Sequence, residues 1–406
     1  MPSPRKFLFL AILLAGVAFS IGCASSSSNS STSTTGPNSV PGYGEGTGAS
    51  GQTAPAKFMY VNPLGVGGPY ALALQSDGTL TKQTGGSAYN NIPMTMAIDP
   101  SGSFVFQTAL QFQLTQQGGL FVYAIDRSTG SLTTAPGSPY AIPQTVFTDI
   151  VDNAGKFLYV QGTSGVYAFS IQSDGSLTAV PGSPFSDAGA PSSVGYPTPA
   201  SLMAVDQTNQ FLYVSTIGGI SAFSINSTGM LTSIAGSPFG ASMGNPWSIT
   251  VTPNNKFLYE VDAKQATVVY GYSIDQSSGV LTAISGSPFN TGTCGTSLQG
   301  VPGPDNLTIA SAGKFLYDNC GIYSLDASTG AIVQTSTFVA GDWPVIDPTG
   351  DFLWAITPQQ DCFHCDVGIT AYQVDPNSGI LTAVPNSLLV LTNSEIGYLD
   401  SIAVTK

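Results

Sequence analysis

Two short phrases recur seven times each after residue 56, and a chain built from one repeated unit is confined to a stack or a ring of that unit. The first phrase is an aromatic strand core headed by Phe58, Phe104, Phe157, Phe211, Phe257, Phe315 and Phe352, with Lys256-Phe-Leu-Tyr259 as a representative copy. The second follows each of these as a glycine turn entering a strand, at Gly78, Gly130, Gly175, Gly229, Gly279, Gly330 and Gly379. Four units then close with Gly-Ser-Pro and an aromatic ring, starting at Gly137, Gly182, Gly236 and Gly286.

Each unit of about 50 residues divides into four short strands, A to D, with period-two alternation and turn residues between them. In the third unit the expected strands are 149–152, 157–160, 166–171 and 177–180. Four-stranded units repeated about an axis predict an all-β fold, a seven-bladed β-propeller. A linear stack would need polar end caps, and none is evident. The first unit begins on strand B, whereas residues 400–405 match a strand A with no B after it. The C-terminal strand is therefore expected to close the first blade.

Residues 1–22 read as a signal peptide of the lipoprotein type: Arg5 and Lys6 precede an apolar run, and Ser20-Ile21-Gly22-Cys23 resembles a lipobox with Cys23 as the lipidated residue. Residues 23–56 are Ser, Thr and Gly rich and predict a flexible tether, leaving 57–406 for the propeller. The expected location is the cell envelope after export, with the membrane reached through the lipid anchor alone. With 10 basic against 23 acidic residues, the net charge is −13, which repels phosphate backbones and argues against nucleic acid as a partner. The chain is expected to act as a monomer.

The phrases G-K-F-L-Y-V, Y-A-F-S-I-x-x-x-G-x-L-T and G-S-P-F resemble the seven-bladed lactonase-like propellers, a group that includes bacterial 6-phosphogluconolactonases and Y-V-T-N repeat proteins. The resemblance spans 57–406 and implies that fold, with lactone hydrolysis as one activity. Its phrases are strand and turn residues, so they speak for architecture. A phosphosugar lactonase needs cations at the ligand and an acid/base group to activate water. Lys57, Lys156, Lys256 and Lys314 fall in or by analogy with A–B turns and Arg127 in a C–D turn, all on one face, called lower here. Lys264, in a B–C loop, is the one clear cation for the upper face.

The upper face is expected to hold the site. Asp305, Asp342 and Asp400 occupy one equivalent position on strand A of three consecutive blades, a set of carboxylates suited to Ca²⁺ or to a solvated rim. Glu260 and Asp318 sit near the upper end of strand B. Phe147, Trp247, Trp343 and Tyr398 crowd the same mouth, either to stack on a ligand or to plug it. Cys294, Cys320, Cys362 and Cys365 fall on upper connections and read as disulfides, most simply 294–320 and 362–365. Cys362-Phe-His364-Cys365 leaves a zinc or redox site open as an alternative. The favoured reading is a module that binds a small molecule, a glycan or a protein through its upper face, with lactone hydrolysis as the alternative.

Overall fold

The protein is an all-strand ring of seven four-stranded blades, a seven-bladed β-propeller. The computed structural model describes residues 57–64, 69–86, 92–110, 119–143, 145–163, 165–189, 201–240, 246–262, 268–291, 306–310, 312–336, 342–358, 367–392 and 398–405. Among them no helix occurs. Blade three is representative, with strands Val146–Val151, Phe157–Gly162, Gly165–Ile171 and Leu177–Ala179 in antiparallel succession from the ring axis outward. Its inner strand begins three residues before the expected residue 149, because an extra residue at Phe147 lets pairing resume above it.

The closure follows the sequence expectation. Tyr398–Val404 pairs with Lys57–Leu64, so the first blade takes its inner strand from the far end of the chain. Thr405 completes the joint. Its hydroxyl accepts the Phe58 amide at 2.9 Å, and its own amide donates to the Phe58 carbonyl at 2.9 Å. Thr252 makes the same bond to Phe257 in blade five, whereas Asp99, Asp152, Asp206 and Asp347 supply a carboxylate at this place in other blades. In six of the seven blades one side-chain acceptor thus ties the end of strand A to the start of strand B, satisfying amides that would otherwise be unpaired, whereas blade six has Ala310 at this place.

The two repeated phrases prove to be the two halves of one joint between blades. The phenylalanine of each blade lies against the turn glycine of the next: Phe58 on Gly130, Phe104 on Gly175, and so on round to Phe352 on Gly78, which returns from blade seven to blade one. Two residues further along strand B, a tyrosine hydroxyl donates to the same glycine's carbonyl. The bonds run from Tyr60 to Gly130 (2.9 Å), Tyr159 to Gly229 (3.3 Å), Tyr213 to Gly279 (3.1 Å), Tyr259 to Gly330 (2.6 Å) and Tyr317 to Gly379 (3.1 Å). In blade seven the Trp354 indole replaces it, reaching Gly78 at 2.9 Å. The apolar core accordingly divides into seven clusters, one in each seam.

Candidate functional site

The inner strands face the ring axis, and their upper ends build the mouth. In blades one, three and five the inner strand carries one residue more than its partner: Asp400 between the pairs Leu399–Pro63 and Ser401–Asn62, Phe147 between Val146–Gly162 and Thr148–Gln161, and Trp247 between Pro246–Asp262 and Ser248–Val261. Each is the position ten residues before a blade phenylalanine, or its equivalent at the closure. Bulges of this kind re-aim a side chain and are common beside functional sites. Three of the residues singled out from sequence therefore stand at one repeated irregularity.

The bulge does not present them all to solvent. Phe147 and Trp247 are each only 4% exposed, and Trp247 belongs to the apolar cluster between blades five and six. Asp342 and Trp343 lie on the inner strand Asp342–Ile346 of blade seven, where Asp342 pairs directly opposite Ile356 and the register shift comes after it. Pro344, which has no amide to give the ladder, sits inside that shift. Tyr398 and Asp400 lie on the closing strand. The side chains of Asp342, Trp343, Tyr398 and Asp400, and all of Asp305, lie outside the described residues, as do Lys264, His364, Cys23, Cys294, Cys362 and Cys365. Cys320 is buried and disulfide-bonded.

Glu260 and Asp318 were expected near the upper face, and both are instead enclosed, at 0% and 4% exposure. Strand alternation explains this. Residues at the phenylalanine, two beyond and four beyond face the next blade, while the position three beyond faces the previous one. Glu260, three beyond Phe257, accordingly receives the hydroxyl of Ser215, four beyond Phe211 in blade four. Gln107 meets Asn62 across the seam between blades one and two by the same rule. Asp318 accepts the Cys320 amide at 2.7 Å, the Gly321 amide at 2.9 Å and the Tyr323 hydroxyl at 3.2 Å. Burial outweighs those bonds and pushes its pKa up to about 7.

Asp149 was not singled out from sequence. It is an inner-strand residue of blade three, 8% exposed, whose Oδ1 accepts the Thr95 hydroxyl of blade two while its amide donates to Thr95 Oγ1 at 3.1 Å. Burial raises its pKa to about 7 against the opposing Thr95 bond. Its signal was available: the inner strands of the other blades pair Met96, Met203, Ile249 and Ile402 against the corresponding strand B residue, all apolar. A lone carboxylate at an apolar repeat position is an anomaly that alignment of the blades exposes.

Arg127, in the lower C–D turn of blade two, donates to the Ser101 carbonyl and to Ser103 Oγ at 3.0 Å in that blade's A–B turn. No cluster of three or more His, Cys, Asp or Glu able to hold a metal occurs among the described residues.

Residues 146–296 match the family model described as Lactonase, 7-bladed beta-propeller. Among solved structures, a candidate 6-phosphogluconolactonase of Bacteroides uniformis aligns at 18% identity over 87% of this chain and 100% of its own, with a TM-score of 0.64. A periplasmic gluconolactonase of Pseudomonas aeruginosa aligns at 14% identity over 86% and 99%, with a TM-score of 0.62. At such identities the likeness is one of fold. No curated protein matches the chain.

Proposed function

We propose that the protein is an envelope-tethered propeller that binds a small molecule, a glycan or a protein at its upper mouth, in the manner of a recognition module. The observation that carries the reading is the repeated bulge at the top of the inner strands, which sets Phe147, Trp247 and Asp400 at equivalent places around the axis. Phe147 and Trp247 are buried and would form the floor beneath the mouth, so a ligand there would meet chiefly carboxylates and amides, which suit hydroxylated, uncharged molecules that hydrogen-bond without needing a cation. Asp305, Asp342 and Asp400 would add oxygen donors for Ca²⁺ on three consecutive blades. The test is a thermal-shift screen of the purified protein against neutral sugars, lactones and about 1 mM Ca²⁺, a concentration typical of weak extracellular sites. A saturable rise in midpoint that Trp343→Ala removes is expected for the organic ligand. For calcium, Asp342→Asn should remove the rise, and Asp174→Asn, in a lower-face turn where Asp174 caps Ser176, should not. No rise with any of them overturns the reading.

Lactone hydrolysis is the second reading, favoured by the lactonase family match over residues 146–296 and by the gluconolactonase fold likeness. On this reading an acid/base group of the upper ring would activate water against the lactone carbonyl. The scarcity of upper-face cations points to unphosphorylated lactones as the substrates. Purified protein should then hydrolyse gluconolactone faster than 6-phosphogluconolactone. Rates equal to buffer for both would exclude it.

A further inference from the structure

The seam between blades two and three differs from the others at two separate places. At its middle, the residue that should staple it is Phe106, which has no hydroxyl to give Gly175. At its inner end a carboxyl bridges the two inner strands. Asp149 reaches from Val146–Val151 to Thr95 on Ile92–Ile98, and Thr95 is itself bonded to Thr108 by its amide at 3.1 Å and its hydroxyl at 2.9 Å. The Thr95 hydroxyl donates to Asp149 Oδ1, and the Thr108 hydroxyl also reaches the Thr95 carbonyl at 3.4 Å. Asp149 Oδ2, closed off from solvent, has no hydrogen-bond partner.

Among the described residues, no positive charge faces this carboxyl. The elements packed on its strand are Ile92–Ile98, Phe104–Leu110, Phe157–Gly162 and Met203–Val205. Their one titratable residue is Tyr159, whose hydroxyl is turned away to Gly229 of blade four. An ionised carboxylate so enclosed, with only the Thr95 hydroxyl and the Ala97 amide to stabilise its charge, costs more than the neutral acid.

We infer that the seam between blades two and three is a proton-operated lock, closed when Asp149 is neutral and loosened when it ionises. The raised pKa of about 7 agrees in direction. The unfolded chain releases this proton near pH 4 and the folded one near 7, so the folded state binds more protons between them. Stability from the neutral form is complete below about pH 4 and is lost as pH rises through 7. Asp318 shifts the same way from blade six, so a global midpoint alone does not isolate the lock.

The decisive measurement is local. Amide hydrogen exchange of the purified protein, corrected for intrinsic rates, is compared at pH 5 and pH 8 for residues 92–98 and 146–151. Protection there should fall about tenfold or more at pH 8 while the inner strand of blade five keeps its own. Asp149→Asn should abolish the difference between the two pH values, and Asp318→Asn should leave it intact. Because Asp149→Asn can compromise folding, the Asp149 carboxyl is also followed by infrared spectroscopy in Asp318→Asn protein, where a buried neutral carboxyl band should persist at pH 6 and vanish by pH 8. Equal protection at both pH values, loss of the effect in Asp318→Asn, or a carboxyl already ionised at pH 6 in Asp318→Asn protein would each overturn the lock.

Discussion

At the scale of single residues, the turn glycines separate two costs that usually come together. Gly130 has φ +74°, and a Cβ there would lie 2.6 Å from the Phe58 ring. Gly102 has nearly the same backbone, φ +66°, but its nearest neighbour would be Thr405 at 3.6 Å. Gly102→Ala should therefore cost about 1 kcal/mol for the backbone alone. Gly130→Ala should cost about 3 kcal/mol, since it also displaces the ring that locks blade one to blade two. Chemical denaturation of both variants checks the difference, and equal losses would remove the ring contact from the argument. The recurrence of these glycines was plain in the sequence, whereas the phenylalanine each one meets was not. The partner lies in the preceding blade, and spacing within a unit carries no information about contacts between units. Glu260 and Asp318 illustrate the same limit. Their height on strand B followed from the repeat, but which way each faced depended on a seam that one unit cannot define.

At the scale of the strand and turn, the missing Phe106 hydroxyl has a counterpart. Blade two alone among the four Gly-Ser-Pro blades ends that motif in tyrosine, Tyr140, whose hydroxyl accepts the Leu177 amide of blade three at 2.8 Å. Blades three, four and five pair a strand B tyrosine with Phe185, Phe239 and Phe289 instead. The hydroxyl has been moved from one side of the blade-three turn to the other. Tyr140→Phe should cost about 1 kcal/mol, and Phe106→Tyr should restore about as much by bonding to Gly175. The double variant should match the parent within about 0.5 kcal/mol by chemical denaturation. A Phe106→Tyr protein less stable than the parent would show that the seam has no room for the usual staple. Here the repeats were enough to predict strands and turns, and the inner bulges were not predicted. An extra residue interrupts alternation for one step only, and in an inner strand buried on both faces, as Val146 to Asp149 are, that step is hidden in a continuous buried run.

At the scale of the whole ring, closure is the feature everything else depends on. Removing residues 398–406 takes away the inner strand of blade one and the Thr405 bonds to Phe58, and leaves Val61 and Met59 of the seam with blade seven uncovered. The expected product is insoluble or melts far below the parent, as light scattering and calorimetry would show. Thr405→Val is the milder test: it orphans the buried Phe58 amide and should cost about 1–3 kcal/mol. The seven blades and the one-plus-three closure could be read from repeat number and from the unmatched strand at each end, because a ring needs both ends to meet. The occupant of its mouth could not be read, since the strands that build the ring are indifferent to what it holds.

The same closure determines how the molecule would carry a mechanical load. Lys57 begins strand B at the lower face, and that strand is flanked on one side by Tyr398–Val404 and on the other by Tyr70–Leu74. A pull on the chain before Lys57, directed away from the lower face, runs along the strand axis. It strains the pairs from Met59–Val404 to Leu64–Tyr398 together, in shear, instead of peeling them one after another. The C-terminal end leaves beside Lys57 at the same face, so drawing those two ends apart sideways would instead peel the pairs in turn from Met59–Val404 upward. The ring should therefore resist tension at its entrance far better than tension applied across a blade, and single-molecule pulling from those two attachment points would measure the ratio of rupture forces.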